Sequence, residues 1–215
     1  MQIYQLPVSL YSFKLRLVLR LKGLTIPLVE PPGGTYRSAD YRAINPAGSI
    51  PALVDGPFVL AESEAIIEYL EDLGVGSPLY PADLRMRAKS RMLSRWHDFR
   101  LEPAVHSLFA HVSRETRNAG VVEEANTRIG DALTLIESCL DGAGPFALGE
   151  RPTGVDCALA ASLVWIEVFT PVFGLRLPPH PRALRGLAAL SNDPKTTNEM
   201  ADYRALATTW TAQRG

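Results

Sequence analysis

Every strand-like stretch in this chain falls before residue 62, and the remainder carries only helical periodicity. That asymmetry restricts the fold more than any single motif does. QIYQL at residues 2–6 reads as a short strand. Ser12 can cap the next segment, FKLRLVLRLKG, in which Leu15, Leu17, Val18, Leu19 and Leu21 cover a broad apolar face. Lys14, Arg16, Arg20 and Lys22 are interleaved with them, and Gly23 is a C-terminal stop. TIPLVE reads as a second strand, and PPGGTYRSADYRAIN as loop with a short helix. PALV and FVL form a hairpin across Asp55-Gly56, and Ser63 to Leu73 is a helix ending at Gly74. Strand, crossover helix and strand imply a parallel pair. The hairpin adds antiparallel strands, which gives a mixed four-stranded sheet.

The segment VGSPLYPADL is rich in turn residues and reads as a linker. Beyond it, residues 84–112, 121–141, 154–169 and 181–190 have helical periodicity, with Pro103 expected to kink or divide the first. The fold class is therefore α/β followed by all-α, with one domain over 1–77 and a second over 84–215. The charge balance is even, 22 basic against 23 acidic residues, so no footprint for nucleic acid or an anionic membrane is expected. No apolar run of about 18 residues is evident, so no spanning helix is expected either. The N-terminus, MQIYQLPVSLYSFK, lacks the basic head and cleavage site of a signal peptide. Cys139 and Cys157 have no metal or redox spacing and lie in apolar helical patterns, which favours reduced thiols in a cytoplasmic protein. His97, His106 and His111 are spaced by nine and five, which is not a helical ligand pair, so no metal is expected.

The chemistry concentrates in NPAGSIPALVDGPFVLAESEAII, residues 45–67. Pro51 opens a strand yet has no N–H for a central ladder. Glu62-Ser63 stands at the start of a helix, where a hydroxyl and free N–H groups can cap or can hold an anion. Ser9 precedes the expected cap Ser12 by three residues, so its hydroxyl can point over a helix N-terminus. Each residue also has a plainer reading: Ser12 and Ser63 as caps, Glu62 as a solvated acid, Ser9 as a loop hydroxyl. Thr153 and Asp156, in GERPTGVDCALA, read as a cap and first-turn acid of a buried helix.

These motifs together resemble the soluble glutathione S-transferases over almost the full length, especially the serine-type, zeta-like members. The resemblance rests on Ser9-x-x-Ser12 ahead of KLRLVLRLKGL, on Asn45-Pro46, Ile50-Pro51 and Glu62-Ser63, and on GERPTGVDCALA. It implies a thioredoxin-like N-terminal domain, an all-helical C-terminal domain, glutathione as co-substrate, a small electrophile as second substrate, and a homodimer serving detoxification. It places the catalytic hydroxyl at Ser9, with Tyr11 and Ser12 as alternatives. Glutathione's thiol is mostly protonated at neutral pH, and lowering its pKa by about two units takes about 2.7 kcal/mol of preferential thiolate stabilisation. A hydroxyl donor with a helix N-terminus can supply that.

The resemblance further implies a cis Ile50-Pro51 bond, with the Ile50 backbone pairing to the ligand as an added strand. Glu62 is then matched to the γ-glutamyl ammonium and Ser63 to its carboxylate. Tyr36 matches a family contact, and Arg37, Arg42 and Ser49 lie on loops able to reach the glycyl end. Tyr11, Leu101, Val105 and His106 are expected around the second substrate, with Trp165 and Phe169 further apolar candidates. Two departures stand out from the zeta isomerases of maleylacetoacetate or maleylpyruvate. Leu10 and Tyr11 replace that group's second serine and its cysteine, and Val168 stands where a substrate-binding arginine is expected. A diacid needs cations, so these departures favour conjugation of an apolar electrophile over isomerisation. A non-catalytic scaffold on the same fold is the third reading.

Overall fold

A computed structural model describes residues 1–215, which divide into two compact units, Met1–Leu79 and Tyr80–Gly215. In the first, β1 (Gln2–Tyr4), β2 (Leu28–Val29), β3 (Ala52–Asp55) and β4 (Phe58–Ala61) form one sheet in the order β2-β1-β3-β4. β1 runs parallel to β2 and antiparallel to β3, and β3 and β4 form the hairpin. Gly56 takes φ 60° in its turn, a conformation that favours glycine. The second strand is shorter than its sequence implies: only Leu28 and Val29 pair, because Pro27 has no N–H to give and Pro31 and Pro32 follow.

Helices α1 (Leu10–Lys22), α2 (Ala39–Ile44) and α3 (Ser63–Asp72) complete this unit. Its core is Ile3, Phe13, Leu17, Val18, Leu53, Ile66, Ile67 and Leu70, all fully buried. α1 ends at Gly23, whose φ of 72° closes the helix in a left-handed cap. Its N-cap is Ser9, not the expected Ser12: the Ser9 Oγ accepts the Ser12 N–H at 3.2 Å. Helix formation therefore begins one turn earlier than the apolar pattern indicates, because Leu10 is already buried against the core.

Two of the interleaved basic residues are also buried. Lys22 donates to Glu71 at 2.5 Å and to the Ser77 carbonyl at 3.2 Å, while the same Glu71 oxygen accepts the Leu79 N–H at 3.0 Å. This buried charge cluster ties the C-terminal ends of α1 and α3 to the segment after them. Gly76 is part of the same packing, since a Cβ there would come within 2.3 Å of the Lys22 carbonyl oxygen.

The second unit contains α4 (Leu84–Trp96), α5 (Glu102–His106), α6 (Ala119–Cys139), α7 (Gly154–Phe173), α8 (Pro181–Asn192) and α9 (Thr197–Ala212). α4 and α5 are joined by a π-helical turn at His97–Leu101, so the expected division precedes Pro103, which sits in the first turn of α5 where its missing N–H costs nothing. α9 is absent from the sequence reading; its small and polar residues give a weak apolar stripe, and tertiary packing of Met200, Tyr203 and Ala207 decides it.

α7 is the axis of this unit. Its cap is a reciprocal box: Thr153 N–H and Oγ1 donate to Asp156 Oδ2 at 2.8 and 2.9 Å, while Ala147 N–H donates to Oδ1 at 2.7 Å. Contrary to the sequence reading, this helix is long and apolar enough to cross a membrane, but 72% of that window is buried within the protein, as for a core helix. Trp165 anchors the core, with the Phe109, Phe169 and Trp210 rings at 4.4, 5.2 and 5.5 Å and its indole N–H donating to Tyr203 at 2.7 Å. Cys139 is partly exposed and Cys157 is buried, and the two form no disulfide.

Candidate functional site

Sheet register brings the candidate residues to one end of the first unit. Tyr4 lies opposite Val29 on one side and Ala52 on the other, and Ala52 lies opposite Ala61. Val29, Tyr4, Ala52 and Ala61 thus form one row across the sheet. β1, β2 and β4 leave the sheet at this row and β3 enters it. The segments bearing Ser9, Tyr36-Arg37, Ile50-Pro51 and Glu62-Ser63 therefore all connect at one rim, although they span more than 50 residues of sequence.

At Ser9 the hydroxyl oxygen is already an acceptor, taking the Ser12 N–H. A hydroxyl keeps its own proton to donate while accepting, so the cap does not consume the donor. The loop is held from below: Arg16 donates to Gln5 Oε1 at 2.8 Å and to the Pro7 carbonyl at 3.1 Å, and the Ser9 N–H donates to the Leu6 carbonyl at 3.1 Å. Of the two alternatives, Ser12 is buried inside α1, and its hydroxyl has no partner in the protein. Tyr11 is half-buried in the first turn, with the Lys14 ammonium 5.9 Å from its ring centre.

The Ile50-Pro51 bond is cis. Ile50 lies two residues before β3 and takes no part in its ladder, which leaves its backbone groups for an added strand. The preceding carbonyl, that of Ser49, accepts from the Tyr41 hydroxyl at 2.7 Å and from Asn45 Nδ2 at 2.9 Å. Burial raises the Tyr41 pKa, which keeps that hydroxyl a donor. Tyr41 is a supporting residue that the sequence reading missed; its only signal is an aromatic in the short helix just ahead of Asn45-Pro46. Around the same turn, a Cβ on Gly48 would lie 3.2 Å from Arg42 Nε, so Arg42 runs alongside the segment leading to Ile50. Arg37 instead places its guanidinium 5.5 Å from the Tyr36 ring centre and is exposed.

Glu62 is the sole non-glycine residue with positive φ, at φ 71° and ψ 118°. A conformation so sparsely populated costs about 1–3 kcal/mol and is characteristic of functional sites. It is also the N-cap of α3, without a side-chain cap bond, and is exposed. Ser63 is consequently the first residue of the helix rather than its cap. It is buried, and its N–H points out of the helix start with no intrahelical acceptor. Directly behind it, Glu64 pairs with Lys14 of α1 at 2.7 Å.

In the second unit the expected lining residues separate. Leu101 and Val105 are fully buried, as are Trp165 and Phe169. Their apolar character is consumed by packing among the helices. His106 is exposed, stacks on Phe109 with ring centres 5.4 Å apart, and bonds Glu102 at 3.2 Å, a partner that raises its pKa. Val168 is half-buried on α7. His97 is fully buried between Asp98 and Ser162, at 2.8 Å from each. No group of three or more metal-binding side chains is assembled.

Two family descriptions match the chain: "Glutathione S-transferase, N-terminal domain" over residues 3–78 and "Glutathione S-transferase, C-terminal domain" over residues 119–188. The chain is similar to a zeta-class glutathione S-transferase of Euphorbia esula, at 28% identity over 99% of this chain and 95% of the relative. It is also similar to a maleylacetoacetate isomerase of Pseudomonas aeruginosa, at 32% identity over 86% of this chain and 88% of the relative. Among solved structures, a maleylacetoacetate isomerase of Methylobacterium extorquens AM1 with bound malonate and glutathione superposes with a TM-score of 0.76 at 26% identity, covering 94% of this chain and 97% of the other.

Proposed function

The chain belongs to the glutathione S-transferase family, and on that premise we propose that it binds glutathione at the sheet rim and conjugates its thiol to a hydrophobic electrophile. The observation that carries this reading is the row Val29–Tyr4–Ala52–Ala61, from which every candidate segment departs. In this reading residues 1–77 are the glutathione-binding domain and 84–215 the helical one. The Ile50 backbone, with Pro51 behind it, pairs with the cysteinyl residue. The α3 N-terminus at Ser63 takes the γ-glutamyl carboxylate, and the exposed Glu62 takes the ammonium. Tyr36 and Arg37 approach the glycyl end, where Arg42 is the cation lying along the Gly48 turn.

Ser9 donates its O–H to the sulfur, and the positive end of α1 lies beneath it, so the thiolate is favoured over the thiol. Attack on an electrophile held beside it gains from ionisation and from proximity. Tyr11, on the first turn of α1, is the residue of this unit proposed to meet the second substrate. No metal takes part in this chemistry. The protein acts as a cytoplasmic homodimer in detoxification.

A glutathione-dependent isomerase is the second reading, and the maleylacetoacetate isomerases among the relatives favour it equally. Reversible addition of the same thiolate to a cis double bond would use the same Ser9 donor.

The test is retention on immobilised glutathione, followed by thiol transfer to a chloroarene and isomerisation of maleylacetone, each with wild type and Ser9→Ala. Losing one charge-assisted hydrogen bond of about 1.5–3 kcal/mol should lower thiol transfer roughly ten- to hundredfold with glutathione still retained. Equal rates in both proteins would remove Ser9 from the mechanism. Isomerisation without transfer would select the second reading.

A further inference from the structure

The buried pair Lys14–Glu64 has no part in the chemistry above, yet it connects the two helices whose N-termini serve the site. Their side chains are 0% and 5% exposed. Two ions withdrawn from water usually return less than a well-packed apolar pair of the same volume would. Lys14 is fully buried in a helix whose neighbouring positions Phe13, Leu15, Leu17 and Val18 are buried too, so an apolar residue would suit the position by burial alone. The location of the carboxylate explains the charge. Glu64 follows Ser63 in the first turn of α3, the same turn whose N–H groups face outward. A bare carboxylate there would cancel the positive end of the helix and repel an incoming anion.

We propose that Lys14 is a specificity-determining positioning residue: by neutralising Glu64 across 2.7 Å, it keeps the α3 N-terminus able to accept a ligand carboxylate. It touches neither the thiol nor the electrophile. Resting on the glutathione reading, the inference concerns one end of the ligand only, the α-carboxylate of the γ-glutamyl residue. The thiol end and the glycyl end lie outside its influence.

The experiment compares dissociation constants for glutathione and for cysteinylglycine, which keeps the thiol and the glycyl end but lacks the γ-glutamyl residue. The proteins are wild type, Lys14→Met, Glu64→Gln, Lys14→Arg and the double variant Lys14→Met/Glu64→Gln. Lys14→Met should weaken glutathione roughly three- to thirtyfold, the range for a partly buried charge at a helix terminus, and leave cysteinylglycine unchanged. Glu64→Gln should bind glutathione as tightly as wild type or more tightly, and Lys14→Arg should match wild type.

The divergence of the two single variants, one weakened and the other not, is the signature, because a pair that only holds the helices together would weaken both variants toward both peptides. That result would overturn the proposal. Should Lys14→Met fail to fold, the double variant carries the test: it is neutral at both positions and should keep the wild-type preference for glutathione, and loss of that preference would overturn the proposal as well. A wild-type protein that binds no glutathione would overturn the glutathione reading first and this inference with it.

Discussion

Single residues in this site do more than one job, and Ser9 is the clearest case. Its oxygen closes α1 while its proton stays available. The sequence assigned cap and donor to two different serines, because Ser9-x-x-Ser12 offers two hydroxyls at capping distance and the apolar pattern alone does not decide where the helix starts. Glu62 is the second case. Its backbone is held at φ 71° although it carries a side chain. Glu62→Gly should relieve that strain and raise unfolding stability by about 1 kcal/mol, while removing the proposed ammonium partner. Thermal melts and glutathione titration on the same preparation check this: the expected outcome is a higher melting temperature with weaker binding. A variant that loses both would show that the Glu62 side chain stabilises the fold.

Elements in the helical unit are fixed by caps legible in the sequence and by packing that is not. The Thr153–Asp156 box at the start of α7 was readable from spacing. Its energetics depend on burial. Desolvation pushes the Asp156 carboxyl up from 3.8 to about 6, against the opposing pull of its donors Ala147 and Thr153. A folded-state pKa above the unfolded one means that between about pH 4 and 6 the folded protein holds a proton the unfolded chain has released. Stability therefore falls as pH rises through that window and levels off above it. Referred to Asp156→Asn, which cannot titrate, wild type should lose on the order of 3 kcal/mol between pH 4 and pH 7. Urea unfolding of both proteins across this range measures it. A wild type that gains relative to the variant would show that the three donors outweigh burial. α9 marks the limit of pattern reading: it forms because Tyr203 bonds Trp165 and Met200 fills the core, neither of which is visible in its own sequence.

For the whole molecule, the exposed apolar residues bear on assembly. Phe58 and Val59 lie open on β4, the edge strand of its sheet, and Leu84 and Phe99 are exposed on the helical unit. Such groups commonly mark association surfaces. The proposed homodimer predicts a mass near twice 23.5 kDa in sedimentation equilibrium, shifted toward monomer by Phe58→Glu with the melting temperature little changed. A single-chain mass for wild type would end that part of the proposal.

The order of elements in the mixed half, the glycine at the end of α1, a hairpin turn through Gly56 and the split into a mixed and a helical half follow from the sequence alone, because each depends on residues close together in the chain; the turn itself is Gly56-Pro57, one residue later than expected, since Asp55 still pairs with Phe58. Only the tertiary structure decides the fate of groups whose partners lie far away in sequence. Lys14 and Lys22 are interleaved with the apolar residues of α1 and are buried with them, since Glu64 and Glu71 meet them there. Leu101 and Val105 stand in an apolar pattern, and their full burial is set by the helices that cover them. Periodicity states that a residue is apolar or polar on a given face; what stands opposite that face is set by packing, and packing decides whether the residue is wall, core or counter-ion.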